Sequence, residues 1–420
     1  MEGITRRAPV LALALAAVLL APQRSTAYSV LAHEANIDAA WETGIRPLLL
    51  RRFPRTTPDD LLEARAYAYG GSVIQDVGYY PFGSRFFSNL VHYVRSGDFV
   101  ENMIREARDV HEFAFALGAL AHYAADNTGH PEAVNRSVPL MFPKLRAKYG
   151  STVTYAQSPA SHVIVEFSFD IVQVAAGAYL PEAYHGFIGF QVAKPVLERA
   201  FRATYGLEMK DVFGDEDLAI STYRRSVSRL IPELTRAAWK SKKEDIARLM
   251  PGVEERAFIY IYTRRQYEKD FGTAYRRPGV FARVIGLFYR LLPKIGPLRP
   301  LSFKTPTPEA EALFIGSFKD TSTRYRRALE ALGRGRLDLA NTDFDTGKPS
   351  THGEYELADS TYAELLDRLS QRNFSDAPAA LRRHIAAYYA AAPERTVTRK
   401  EQKRIEKVRK QLADMRATAG

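Results

Sequence analysis

Apolar residues recur at intervals of three and four through 34–50, 60–76, 100–126, 160–178, 190–205 and 215–250. That is the period of helices burying one face. No sustained alternation with a period of two competes, so the chain reads as all-α. Loops are expected at Pro54–Pro58, at Gly70-Gly71, at Tyr80-Pro81-Phe82-Gly83 and through the polar stretch from Pro143 to Pro159, where Pro, Gly and short polar residues cluster. Further helices are predicted over 315–333, 355–371 and 376–391, followed by a charged one from about 398. There is no internal repeat.

The pattern changes character near 275. The stretch RRPGVFARVIGLFYRLLPKIGPLRPLSFKTPTP contains no acid, and places Arg283, Arg290 and Lys294 opposite Phe281, Val284, Ile285, Phe288 and Leu292. A helix docked on the body and followed by a linker is the favoured reading, with peripheral membrane contact through 279–304 as the alternative. The final helix carries only the thin apolar stripe of Ile405, Val408 and Leu412. It reads as a solvated terminal helix rather than a nucleic-acid arm.

At the other end, Arg6 and Arg7 precede an apolar run from Ala8 to Ala21 and the small-residue exit Ser25-x-Ala27. This is the layout of a secretory signal over 1–27, which predicts export to a periplasmic or extracellular location and a mature chain starting at Tyr28. Removing that segment, with Arg6, Arg7 and Arg24 against Glu2, lowers the net charge from +11 to +9. Much of the remainder lies in the basic tail, so the body argues only weakly for a polyanionic partner, and no specific nucleic acid or protein partner is expected. The chain has no cysteine. Disulfides, thiolate metal sites and cysteine nucleophiles are thereby excluded.

Candidate chemistry is concentrated in histidine. Six of the nine histidines fall between 33 and 162, and five of those have a carboxylate within four residues. His122 and Asp126 are one helical turn apart, His130 follows at a helix end marked by Gly129 and Pro131, and His162 and Glu166 repeat the one-turn spacing. Any one such pair is more often a surface or core interaction. Two pairs on inward faces of a helical bundle, together with His130 and His33, are a plausible carboxylate-rich metal site. Asp76 and His92 are weaker individually, one reading as a loop acid and the other as a core histidine. His111 lies on the face of His122 and suits packing or hydrogen bonding, while His185, His352 and His384 have no partner pattern.

Taken in order, Tyr28, His33, Asp76, His92, His122-x-x-x-Asp126, His130 and His162-x-x-x-Glu166 resemble the ligand series of the zinc-dependent phospholipase C family. The series is also similar to the catalytic domain of glycosylphosphatidylinositol-specific phospholipase D and, more distantly, to fungal zinc-dependent single-strand nucleases. The resemblance implies a helical bundle over 28–275 with a trinuclear zinc site. Linker helices with the basic amphipathic segment over 276–350 and a C-terminal helical extension with its basic tail over 351–420 would follow.

It further implies that the free amine and carbonyl of Tyr28, with His33, hold one zinc. Asp126 would bridge that ion to a second held by Asp76, His92 and His122, and His130, His162 and Glu166 would hold the third. The implied activity is hydrolysis of phospholipid by metal-activated water attack on phosphorus, with Asp76 and Asp126 as the catalytic carboxylates. Tyr28 stands where Trp is usual, and Val77 stands where phosphatidylcholine-cleaving members have an aromatic residue. Tyr79, Tyr80, Phe82, Phe86 and Phe87 are the candidates for an aromatic mouth. The alternatives are a nuclease of the same fold, which the short gap from Tyr28 to His33 favours, and a non-catalytic envelope protein retaining the metal site.

Overall fold

The computed structural model describes residues 29–175, 190–249, 251–259, 304–390 and 399–418. The signal segment, Tyr28 and residues 279–303 lie outside this description. Among the described residues the regular elements are helical, apart from one isolated bridge between Thr342 and Pro349. None of their helices is long and apolar enough to cross a membrane.

Helix α1 (Val30–Ala40) leads through a wide π turn at Trp41–Ile45 into α2 (Arg46–Arg52). Helix α3 (Pro58–Val73) starts where the sequence says it should. Pro58 occupies the first turn, and Thr57 and Asp60 exchange side-chain to backbone hydrogen bonds as a capping box, which satisfies donors a helix start otherwise leaves open. A 3₁₀ turn, Ile74–Tyr79, follows. Then come α4 (Arg85–Tyr93), α5 (Ser96–Glu106) and α6 (Val110–Gly129).

Helix α6 is the axis of the fold. From Glu112 to Gly129 every residue except Tyr123 is buried, as expected of a helix whose Ala, Leu and Phe residues are apolar all round. Helix α3 packs along one side of it and α12 (Pro308–Gly333) along another. Between them in sequence come α7 (Asn135–Met141), α8 (Pro143–Tyr149), α9 (Pro159–Ala175), α10 (Lys194–Tyr205) and α11 (Glu216–Leu249), with α9 against α11 and α10 against α5. The chain ends in α13 (Glu356–Ser370), α14 (Ala379–Ala390) and α15 (Arg399–Ala417). Helix α13 lies on α4, and the terminal helix docks on α13 through Leu412 and Met415, with Lys407 and Gln411 bonded to Asp367.

Four local expectations are corrected. Gly70-Gly71 is not a loop but the last turn of α3, where it lets backbones approach. A Cβ on Gly71 would stand 1.8 Å from the Phe115 carbonyl oxygen, and one on Gly118 would stand 2.0 Å from that of Ala68. The apolar run over 100–126 is two helices, because Asp109 caps α6 by accepting the Glu112 N–H at 2.8 Å. Part of the stretch from Pro143 to Pro159 is helical, as α8. Helix α4, absent from the sequence reading, is capped by Ser84, whose Oγ accepts the Phe87 N–H at 3.2 Å.

Candidate metal centre

Eight of the nine residues expected at the site lie among the described residues, and the fold brings all eight together. His33 comes from the first turn of α1, Asp76 from the 3₁₀ turn after α3, and His92 from the end of α4. His122 and Asp126 share one face of α6, His130 follows its C-terminus, and His162 and Glu166 share one face of α9. All eight are buried. Their ligand atoms form three groups, each within 4.8 Å: His33, His122 and Asp126; Asp76, His92 and His122; and His130, His162 and Glu166.

Asp126 sits where the first two groups meet. His33 Nε2 is 3.5 Å from its Oδ1, while His122 Nε2 and His92 Nε2 are 3.2 and 3.5 Å from its Oδ2. His130 Nε2 is 3.9 Å from that same Oδ2. His92 Nε2 is also 3.4 Å from Asp76 Oδ1.

The imidazoles are held from behind. His122 Nδ1 lies 2.9 Å from the Ser72 carbonyl oxygen and His92 Nδ1 lies 2.7 Å from that of Ser88. His162 is turned the other way, with Nε2 2.6 Å from the Val153 carbonyl and Nδ1 facing Glu166 at 4.0 Å. A nitrogen that donates to a carbonyl leaves its ring partner as a lone pair in the neutral imidazole. His92 and His122 therefore point lone pairs at carboxylate oxygens, and at each other across 3.3 Å. Acceptors facing acceptors in a buried site need an extra proton or a cation between them.

The electrostatics make the same demand. Burial opposes charge on Asp126, but His122 above all, with His92 and His33, holds its carboxyl well below the ordinary range. Burial pulls His92 down too, yet hydrogen bonds with Asp126 and Asp76 outweigh it and carry His92 up to about 9. His33 is lowered to about 4 by burial and by His122. Burial, reinforced by Asp126, Asp76, Asp345 and Asp170, pushes Glu166 well above the carboxylate range. Neither Glu166 oxygen receives a hydrogen bond among the described residues. Buried imidazole and carboxylate donors, with excess negative charge and no sulfur, suit zinc or another borderline divalent ion.

Residues 37–215 match the family model described as zinc dependent phospholipase C. This chain carries a zinc-dependent phospholipase C domain. That family is one of zinc-dependent, phospholipid-cleaving hydrolases, and the all-α fold with its buried His and carboxylate groups agrees with the match over this segment. Characterised proteins and solved structures gave no match to the chain.

Tyr28 lies outside the described residues. His111 stacks on Tyr67 with ring centroids 4.8 Å apart, and His384 accepts or shares a hydrogen bond with the Tyr362 hydroxyl at 2.7 Å, so both serve packing away from the phospholipase centre. Of the proposed aromatic mouth, Phe87 is core, against Phe201 and Phe213, and Phe86 is buried beneath Arg368. Tyr79 does reach the centre, edge-on to His92 at 5.9 Å, and Phe82 is 45% exposed.

Two contributors escaped the sequence. Asp170, one turn beyond Glu166, accepts the backbone N–H groups of Leu31 and Ala32 at 3.1 and 3.0 Å. It caps α1, whose own N-cap Ser29 makes no side-chain bond, and so fixes the turn that carries His33. The spacing His162, Glu166, Asp170 was the available signal. The second is Asp345, far downstream, with Oδ1 3.0 Å from His130 Nδ1.

Proposed function

We propose that this phospholipid-hydrolysing domain works as an exported phospholipase C whose centre takes three zinc ions. The supporting observation is the convergence of three buried His and carboxylate groups around Asp126, inside the segment that matches the family. Tyr28, exposed as a new amino terminus by signal removal, would join His33 at the first group. Asp126 would serve both of the first two groups, and His130, His162 and Glu166 would form the third. Zinc supplies Lewis-acid activation of water and neutralises charge on the phosphoryl group.

The protein's own residues account for the rest. Asp76 is buried beside His92 and orients the attacking water while accepting its proton. Carbonyl contacts from Ser72, Ser88 and Val153 keep three imidazoles in register, so little reorganisation is needed when substrate arrives. Tyr79 and Tyr155, with ring centroids 6.3 Å apart, span from His92 to His162, and exposed Phe82 offers an apolar approach suited to glycerol and acyl chains.

The test is product identity. Mature zinc-loaded protein should convert short-chain phospholipid into diacylglycerol and phosphorylated head group, read by phosphorus NMR, with little dependence on salt. Phosphatidic acid with free head group would replace the C-type assignment by a D-type one. Salt-sensitive cleavage of single-stranded nucleic acid without phospholipid turnover would overturn the lipid reading.

A further inference from the structure

The turn-rich segment 341–355, closed by the isolated bridge between Thr342 and Pro349, returns to the centre from well beyond the family-matched residues and from the region the sequence reads as linker and extension. It is pinned there at several points. The Thr342 hydroxyl donates to Asn127 Oδ1 at 2.6 Å, and the Phe344 N–H donates to the His92 carbonyl at 3.2 Å. The Phe344 ring lies against those of His92 and Tyr123, with centroids 5.1 and 5.5 Å away. Gly347 adopts φ +68°, and a Cβ there would meet the Asn127 carbonyl oxygen at 2.7 Å.

Asp345 is the residue this anchoring delivers. It is 1% exposed. Its Oδ2 accepts the Tyr355 hydroxyl at 2.5 Å and the Tyr155 backbone N–H at 2.9 Å, and its backbone carbonyl accepts Asn135 Nδ2 at 2.7 Å. With Oδ2 committed to two donors, Oδ1 is left facing His130 Nδ1 at 3.0 Å. His92, His122 and His162 are each backed by a backbone carbonyl, whereas His130 is backed by this carboxylate.

We propose that Asp345 is a positioning residue for His130. It keeps the proton on Nδ1 and turns the Nε2 lone pair toward the group formed with His162 and Glu166, which tightens zinc binding there. The inference rests on the zinc reading above. Its consequence is that the working site extends past residue 215 to at least Tyr355, because Asp345 and the tyrosine that fixes it both come from this later segment.

The experiment uses the full mature chain as wild type, Asp345→Asn, His130→Ala and the double variant. Zinc content is measured by mass spectrometry and affinity by competition with a chromophoric chelator. Melting is recorded after EDTA treatment. Asp345→Asn keeps the side-chain size, and the expected result is one zinc held about 10- to 100-fold more weakly, the others unchanged. If Asp345 acts through His130, its substitution adds nothing further in the His130→Ala background. Wild-type zinc affinity in Asp345→Asn would overturn the proposal. So would losses that add in the double variant, or a fall in metal-free melting temperature with zinc affinity intact, the mark of a merely structural role. A wild-type protein that binds no zinc would instead sink the functional reading on which this rests.

Discussion

Gly118→Ala sets two effects against each other. Helix propensity favours the substitution, since Ala in a helix interior is better than Gly by about 1 kcal/mol. Geometry opposes it, because the new Cβ would sit 2.0 Å from the Ala68 carbonyl oxygen and 2.8 Å from the Ser72 nitrogen, both backbone atoms of α3. Backbone cannot rotate away as a side chain can. Reaching an ordinary contact of 3.4 Å requires the two helices to separate by about 1.4 Å. His122 is one turn further along α6, with Nδ1 2.9 Å from the Ser72 carbonyl. The same separation would stretch that contact to roughly 4 Å, beyond hydrogen bonding.

Overpacking of this kind costs about 1–3 kcal/mol, and the lost hydrogen bond about 1 kcal/mol more, which together outweigh the propensity gain. The variant should unfold at lower denaturant and bind zinc more weakly, because His122 belongs to two of the three ligand groups. Gly316→Ala is the control. Gly316 lies within α12 with nothing within 4 Å of a Cβ, so there the propensity gain acts alone and the protein should be slightly stabilised. Urea unfolding with and without EDTA, alongside zinc content, reads both. If Gly118→Ala is as stable as Gly316→Ala and carries the same zinc, the close approach of α3 and α6 does not set the site.

Two further tests address the amino terminus and a remote carboxyl. A chain retaining Met-Ala ahead of Tyr28 should hold one zinc more weakly, because an amide nitrogen cannot replace a free amine as ligand; unchanged zinc content would remove Tyr28 from the ligand set. Burial pushes Glu216 up to about 7 despite Lys194 at 3.5 Å. The folded state then binds this proton more tightly than the unfolded chain, so the carboxyl favours folding fully below its ordinary 4.5 and that contribution is lost as pH rises to about 7. Glu216→Gln should flatten this part of the profile between pH 4.5 and about 7 in unfolding titrations, and a difference between variant and wild type that does not change with pH would count against it.

What the sequence made legible was what one helix determines by itself. His122 with Asp126, and His162 with Glu166, are placed on common faces by the helical repeat, and each pair does face the centre. Single residues on other elements, such as Asp76 and His92, were readable only as members of an ordered series. No local period says that the turn after α3 and the end of α4 meet across α6. The glycines misled for a related reason: Gly70-Gly71 reads as a break when only its own segment is considered, and as a contact surface once Phe115 and Gln191 are present.

Asp345 marks the limit of that kind of reading. In sequence it belongs to a polar turn, TDFDTGK, more than two hundred residues after α6 begins. Its role arises only when Tyr355, Tyr155 and Asn135, drawn from three separate segments, fix one of its oxygens and its backbone. A buried carboxylate carries a large desolvation penalty, so an arrangement of this kind persists where donors offset it. Two hydrogen bonds to Oδ2 and the imidazole facing Oδ1 meet that condition. The same contacts tie α6 and its following turn to the loop that leads into α9, the two elements supplying the third ligand group. Folding of the later segment and assembly of that group are therefore coupled, and a truncation chosen from the family-matched residues alone would remove a wall of the site it was meant to isolate.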